Sequence, residues 1–390
     1  MVQILLFIIY VAFISLGLPD GLLGAAWPTM YIDIGVPIST AGIISMVIAL
    51  GTIISALFSD KLTYLLGAGK VTALSVAMTC VALFGFSFSD NILALLLWSI
   101  PYGLGAGSVD AALNNYVAIH YTSRHMSWLH CMWGLGASIG PYLMGYAISS
   151  SKGWEQGYKY VGAIQIVLTV VLILSLPLWK RRSNITDSSE QIDDVKPMKL
   201  TEIIKIPGVT AVLITFFCYS ALESTSGLWA ASYLQLTKGV NEGTAASMAS
   251  LFYIGITVGR AINGFLTIKL SDTKLIRLGQ GLVLMGVVIL MLPLNIGFTF
   301  AGIVIIGFGC APIYPCVIHS TPARFGVKRS QAIVGVQMAS AYIGTMIMPP
   351  IFGILANRLS MIIWPFYLVT ILLLMIIMHE RLIRIAGKLL

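Results

Sequence analysis

Apolar residues in this chain come in runs far longer than a soluble helix or strand needs, and the polar positions gather between them. A helix that crosses a bilayer takes about 20 mostly apolar residues. On that rule the pattern predicts twelve spans, at 3–31, 37–60, 69–89, 91–120, 127–149, 157–179, 208–236, 243–269, 274–294, 296–321, 330–357 and 360–379. The longest polar stretch, "KRRSNITDSSEQIDDVKPMKLTEIIKIPG", divides them six and six. The expected organisation is an N-terminal six-helix bundle over 1–179, a cytoplasmic linker over 180–207 and a C-terminal six-helix bundle over 208–390. The opening run, "VQILLFIIYVAFIS", has no basic region before it and continues past the length of a signal-peptide core, so it reads as a retained span.

Composition agrees with the pattern. The chain is 58% hydrophobic and 10% charged, where a soluble domain carries roughly 25% charged residues. Its net charge of +8 does not point to nucleic acid, because the basic residues cluster in the loops between apolar runs. With both termini assigned to the cytoplasm, eighteen of the 23 lysines and arginines fall on the cytoplasmic side, which sets the orientation expected of a multi-pass protein of the cell membrane. The five cysteines lie in apolar segments with no C-x-x-C pair, so neither a metal knuckle nor a disulfide framework is expected. No GxxxxGK[ST] occurs, and ATP drive has no support. No cofactor is expected.

The two halves resemble one another. "ALFSDKL" (56–62) closes span two as "GFLTIKL" (264–270) closes span eight, and aligning them superposes Gly51 on Gly259. "GLGAGSVD" in span four matches "GFGCAPIY" in span ten, and "GPYLMGYA" in span five falls over "MPPIFGIL" in span eleven. In spans one and seven, Asp20-x-x-x-Gly24 matches Glu223-x-x-x-Gly227. Parallel six-helix repeats mark a transporter architecture.

These features together resemble the major facilitator superfamily over essentially the whole chain. "ALFSDK" (56–61) is similar to its G-x-x-x-D-R/K loop signature, with Ala56 in place of the glycine. The resemblance implies an all-α membrane fold of twelve helices in two pseudo-symmetric bundles, and a gating role for Asp60 and Lys61. Within the superfamily, "DAALNN", "LHCMWGLGASIGP", "YSALESTSGLW", Gly259-Arg260 and "APIYP" resemble the fucose:proton symporter group and related sugar transporters. In that group acids of spans one and four serve proton coupling and sugar recognition, roles that would fall on Asp20 and Asp110.

The residues themselves support a site. Asp20, Asp110, Glu223 and Arg260 lie well inside spans, where a charge is costly and is expected to face a bundle interior or wet cavity. Asp20 is either a coupling acid or a cap on the turn after Pro19, and by helical spacing it shares a face with Gly24 and Trp27. Asp110 and Asn114, at i and i+4, share a face, with Asn115 beside them; they serve either a solute or the packing of the bundle. Glu223 is either a third proton-coupling group or the partner of Arg260, and Arg260 either snorkels or clamps a gate. Trp27, His130, Trp229, Tyr314 and Gln337 are candidates for solute contact, against an ordinary packing role for each.

The reading is a secondary active transporter that moves a small polar solute, a sugar favoured, by alternating access with proton coupling. Sodium is the alternative ion, and a drug or metabolite exporter by proton antiport is the alternative function. A membrane enzyme or a sensor has less support. "YVAIHYTSRH" offers no nucleophile and base at reactive spacing, and no loop is long enough for a sensing module. The expected partners are solute, ion and lipid, with the chain a monomer.

Overall fold

A computed structural model of the chain describes residues 2–120, 123–183 and 200–386. Among them every regular element is helical. The first half comprises α1 (Val2–Gly17), α2 (Leu22–Ile34), α3 (Thr40–Leu66), α4 (Ala68–Ser87), α5 (Ile92–His120), α6 (Ser123–Ser149) and α7 (Gly153–Ser183). A short α8 (Leu200–Lys205) falls in the region expected as linker. The second half comprises α9 (Val209–Lys238), α10 (Glu242–Leu266), α11 (Asp272–Met291), α12 (Ile296–Cys310), α13 (Ile313–Phe325), α14 (Val327–Arg358) and α15 (Trp364–Ala386).

Among the described residues, eleven of the expected spans are long and apolar enough to cross a membrane. The twelfth is α6, which has the length but carries His130, Pro141 and several glycines. Those residues serve a cavity and close helix packing rather than lipid.

Spans one and ten, expected as continuous, are each broken into two helices. In the first span Pro19 has no N–H to return to Ser15, and Gly21 takes φ +78°, a left-handed conformation. The chain turns over residues 18–21, with the Asp20 amide donating to the Gly17 carbonyl at 3.0 Å. Gln165 Nε2 on α7 donates to the released Ser15 carbonyl at 2.7 Å, and the Tyr102 hydroxyl on α5 donates to the Pro19 carbonyl at 2.7 Å. A break at membrane depth is tolerated because neighbouring helices satisfy it. In the tenth span α12 gives way to α13 at Ala311-Pro312, where proline again removes a helical donor.

Contacts between the halves run along α6 with α10, α3 with α14, and α2 with α9. They concentrate at the end remote from the chain termini. A methyl group added at Gly24 would stand 2.6 Å from the Gly227 carbonyl oxygen, so the repeat-matched glycines of spans one and seven pack on each other. Gly145 abuts Ser247 on one seam, and Gly353 abuts Ser39 on the other. The shift that carries Gly51 onto Gly259 also carries Ser39 onto Ser247 and Gly145 onto Gly353. The two seams are one contact used twice.

Candidate functional site

A cavity of about 380 Å³ lies between the halves, below these seams. Its walls include Asp20, Asp110, His130, Trp133, Glu223, Tyr253, Arg260, Tyr314 and Tyr342. The ionisable residues that stand out in the apolar runs therefore converge on one space.

Asp20 sits on the break between α1 and α2. Gly21, not Asp20, is the N-cap of α2, and no side chain caps it. The capping role considered for Asp20 does not arise. Its carboxylate instead accepts from Trp133 Nε1 at 2.7 Å. Trp133 is held in place because α6 packs tightly on α1: Gly136 and Gly140 meet the carbonyls of Ile14 and Leu18 with no room for a side chain.

Trp133 also reaches the other half. The Arg260 guanidinium on α10 lies 4.8 Å from the centre of its ring, and Tyr253 meets the ring edge-on at 6.3 Å. Cation–π contacts of desolvated groups are worth about 2 kcal/mol. Arg260 Nη2 stands 3.6 Å from Glu223 Oε1 on α9, with the two side chains 13% and 21% exposed. At that distance the pair is held by charge rather than by a short hydrogen bond. A continuous chain of polar contacts thus runs Asp20, Trp133, Arg260, Glu223 and joins the two acids that the repeat alignment matches.

Asp110 is the second acid that the resemblance singles out. Both acids line the cavity, but Asp110 accepts from Asn114 Nδ2 at 2.8 Å, as the i, i+4 spacing predicts. His130 meets Phe13 edge-on at 5.9 Å and lies 6.5 Å from Tyr314, whose hydroxyl points to Met338 Sδ at 3.4 Å. Both line the cavity. Arg260, expected as a gate residue, stands inside the cavity against Glu223, because Glu223 offers a counter-charge at its own depth.

Three expected solute contacts, Trp27, Trp229 and Gln337, are not among the residues that line the cavity. Trp27 is fully buried and its Nε1 donates to the Ile38 carbonyl at 2.8 Å, since the break turns α2 away from the face it would share with Asp20. Trp229 is fully buried, donates to the Pro349 carbonyl at 3.1 Å and meets Phe352 edge-on. Gln337 is buried and exchanges hydrogen bonds with Thr321. The side chains of Asn115, Asp60 and Lys61 lie outside the described ones.

Sequence reasoning missed Trp133, Tyr253 and Tyr342. Two signals were available: Trp133 follows His130 by three positions, and Tyr253 precedes Arg260 by seven, spacings that share a helix face.

Two helical bundles around a central cavity, with three acids and an arginine in its wall and apolar flanks facing outward, have the build of a membrane transporter. The sequence model of the Major Facilitator Superfamily matches residues 9–246 and 212–385, and the chain belongs to that superfamily. Its relatives include the glucose transporter GlcP of Staphylococcus epidermidis, 22% identical over 88% of this chain and 85% of the relative. Bypass of stop codon protein 6 of Saccharomyces cerevisiae is 23% identical over 68% of this chain, which spans only 57% of the yeast protein. Among solved structures, the nucleoside transporter NupG (D323A mutant) superposes with a TM-score of 0.77 at 10% identity, over 97% of this chain and 98% of that one. That likeness is one of fold.

Proposed function

We propose that this transporter moves a small polar solute, a sugar favoured, across the membrane by alternating access, driven by proton coupling at Asp20. The observation that carries the reading is the chain of contacts from Asp20 through Trp133 and Arg260 to Glu223. A proton taken up by Asp20 weakens a charge-assisted bond to Trp133. Trp133 in turn carries Arg260 on its ring, so the event in one half alters the counter-charge balance of the other. Coupling then acts as a differential affinity of proton and solute for the two access states. The relative named as a glucose transporter supports a sugar, as does a cavity offering carboxylates and hydroxyls. With both termini cytoplasmic, the sealed end faces outward and the arrangement is inward-facing.

A second reading, export of organic cations by proton antiport, draws support from three acids set against one arginine in the cavity wall. Uptake into proteoliposomes, with a labelled sugar panel and imposed proton or sodium gradients, separates the two. Asp20→Asn is expected to abolish gradient-driven accumulation while the protein stays folded. Undiminished accumulation in that variant would remove Asp20 as the coupling group.

A further inference from the structure

Tyr253 stands at the remote end of the central cavity. On α10 it lies six residues inside Ser247, the residue that meets Gly145 in the seam, and seven residues short of Arg260. At the rise of a helix that is about 9 Å from the seam and about 10.5 Å from the arginine. The tip of its ring is set between two glycines, one from each half. A methyl group added at Gly21, in the break of span one, would come 2.6 Å from Tyr253 Cε2, and one added at Gly227 on α9 would collide with the Tyr253 hydroxyl oxygen. Tyr253, Gly21 and Gly227 all line the cavity. We propose that Tyr253 determines the length of solute the cavity accepts, by filling the space that the two glycines leave at its remote end.

The packing of the ring carries the inference. Neither glycine has a side chain with which to close the wall, and the tyrosine ring takes the volume such side chains would hold. It is also held in place. Trp133 and Phe252 meet it edge-on at 6.3 Å and 5.2 Å, an arrangement that aromatic pairs favour, and the two glycine backbones close on its tip. A solute too long for the cavity therefore meets a fixed ring, and rejection is by clash. Past the ring the way is shut by main chain. A methyl group at Gly24 would stand 2.6 Å and 2.7 Å from the carbonyl oxygens of Gly227 and Leu228. Shortening Tyr253 thus lengthens the cavity by the depth of the ring and leaves the contact beyond it closed.

The inference rests on the reading of a sugar as solute, and two measurements keep the two apart. The first is counterflow of labelled glucose and labelled maltose in proteoliposomes of the full chain. Tyr253→Ala is expected to raise the maltose-to-glucose ratio about tenfold or more. Tyr253→Phe keeps the ring and should keep the ratio. Gly227→Leu added to Tyr253→Ala refills the space from the opposite wall and should bring the ratio back down. Tyr253→Leu serves if Tyr253→Ala fails to fold. The second measurement needs no solute. Gly227→Cys in the purified chain is expected to react faster with a bulky thiol reagent in the Tyr253→Ala background than in the Tyr253→Phe background, where the ring still covers it. An unchanged sugar ratio in Tyr253→Ala, or equal thiol rates in the two backgrounds, overturns the proposal. Glucose counterflow with equal thiol rates condemns the ring as end wall and leaves the sugar reading. A faster thiol reaction with neither sugar carried by any variant condemns the sugar reading and leaves the ring as end wall.

Discussion

Trp133 meets Asp20 with its indole N–H and Arg260 with its ring, and the two contacts are separable. Phenylalanine keeps a ring for the arginine and removes the donor. A hydrogen bond to an ionised group is worth about 1.5–3 kcal/mol, so Trp133→Phe is expected to reduce gradient-driven accumulation roughly tenfold to a hundredfold. Gradient-independent counterflow should persist, and a parallel loss of both would reduce Trp133 to a structural part. Trp27→Phe tests the opposite assignment. It removes the donor to the part-buried Ile38 carbonyl, at a cost of about 0.5–1.5 kcal/mol, and is expected to lower Tm while leaving KM for the solute unchanged. The acids of the site were legible because a carboxylate stands out in an apolar run. Trp133 and Tyr253 were not, because an aromatic residue in such a run carries no contrast, and only the packing of α6 and α10 decides what it faces.

At the scale of elements, the repeat was legible through its glycines, and those glycines form the seams. Gly145→Leu places a bulky side chain where α6 touches Ser247 of α10. The expected outcome is separation of the halves at the remote end, read as a longer spin-label distance between labels placed near 39 and 353. An unchanged distance in a protein of unchanged stability would count against the seam as a closed contact. The breaks in spans one and ten were less legible. Hydropathy averages over a proline and a glycine, and it cannot reveal that Gln165 and Tyr102 wait on other helices to take the freed carbonyls. The polar character of α6 has the same origin, since its unusual residues answer to neighbours rather than to lipid.

For the molecule as a whole, the fold was legible from period, repeat and charge bias, while the solute leaves no such mark. Orientation is open to direct measurement. All five cysteines are buried, so background labelling by an impermeant thiol reagent should be low. Ser151→Cys, at the remote end, is expected to react in intact cells, and Gly67→Cys only after permeabilisation. The reverse pattern would invert the topology and make the arrangement outward-facing.

The broken first span also constrains how the protein is made. Its α1 and α2 leave the ribosome before α5 and α7, yet the groups that satisfy the break are Tyr102 in the fourth span and Gln165 in the sixth. Until α7 has entered the bilayer, the Ser15 carbonyl has lost its helical donor and has not met its replacement. The first half therefore reaches its final form only after its last helix arrives, and its earliest segment is among the last to settle.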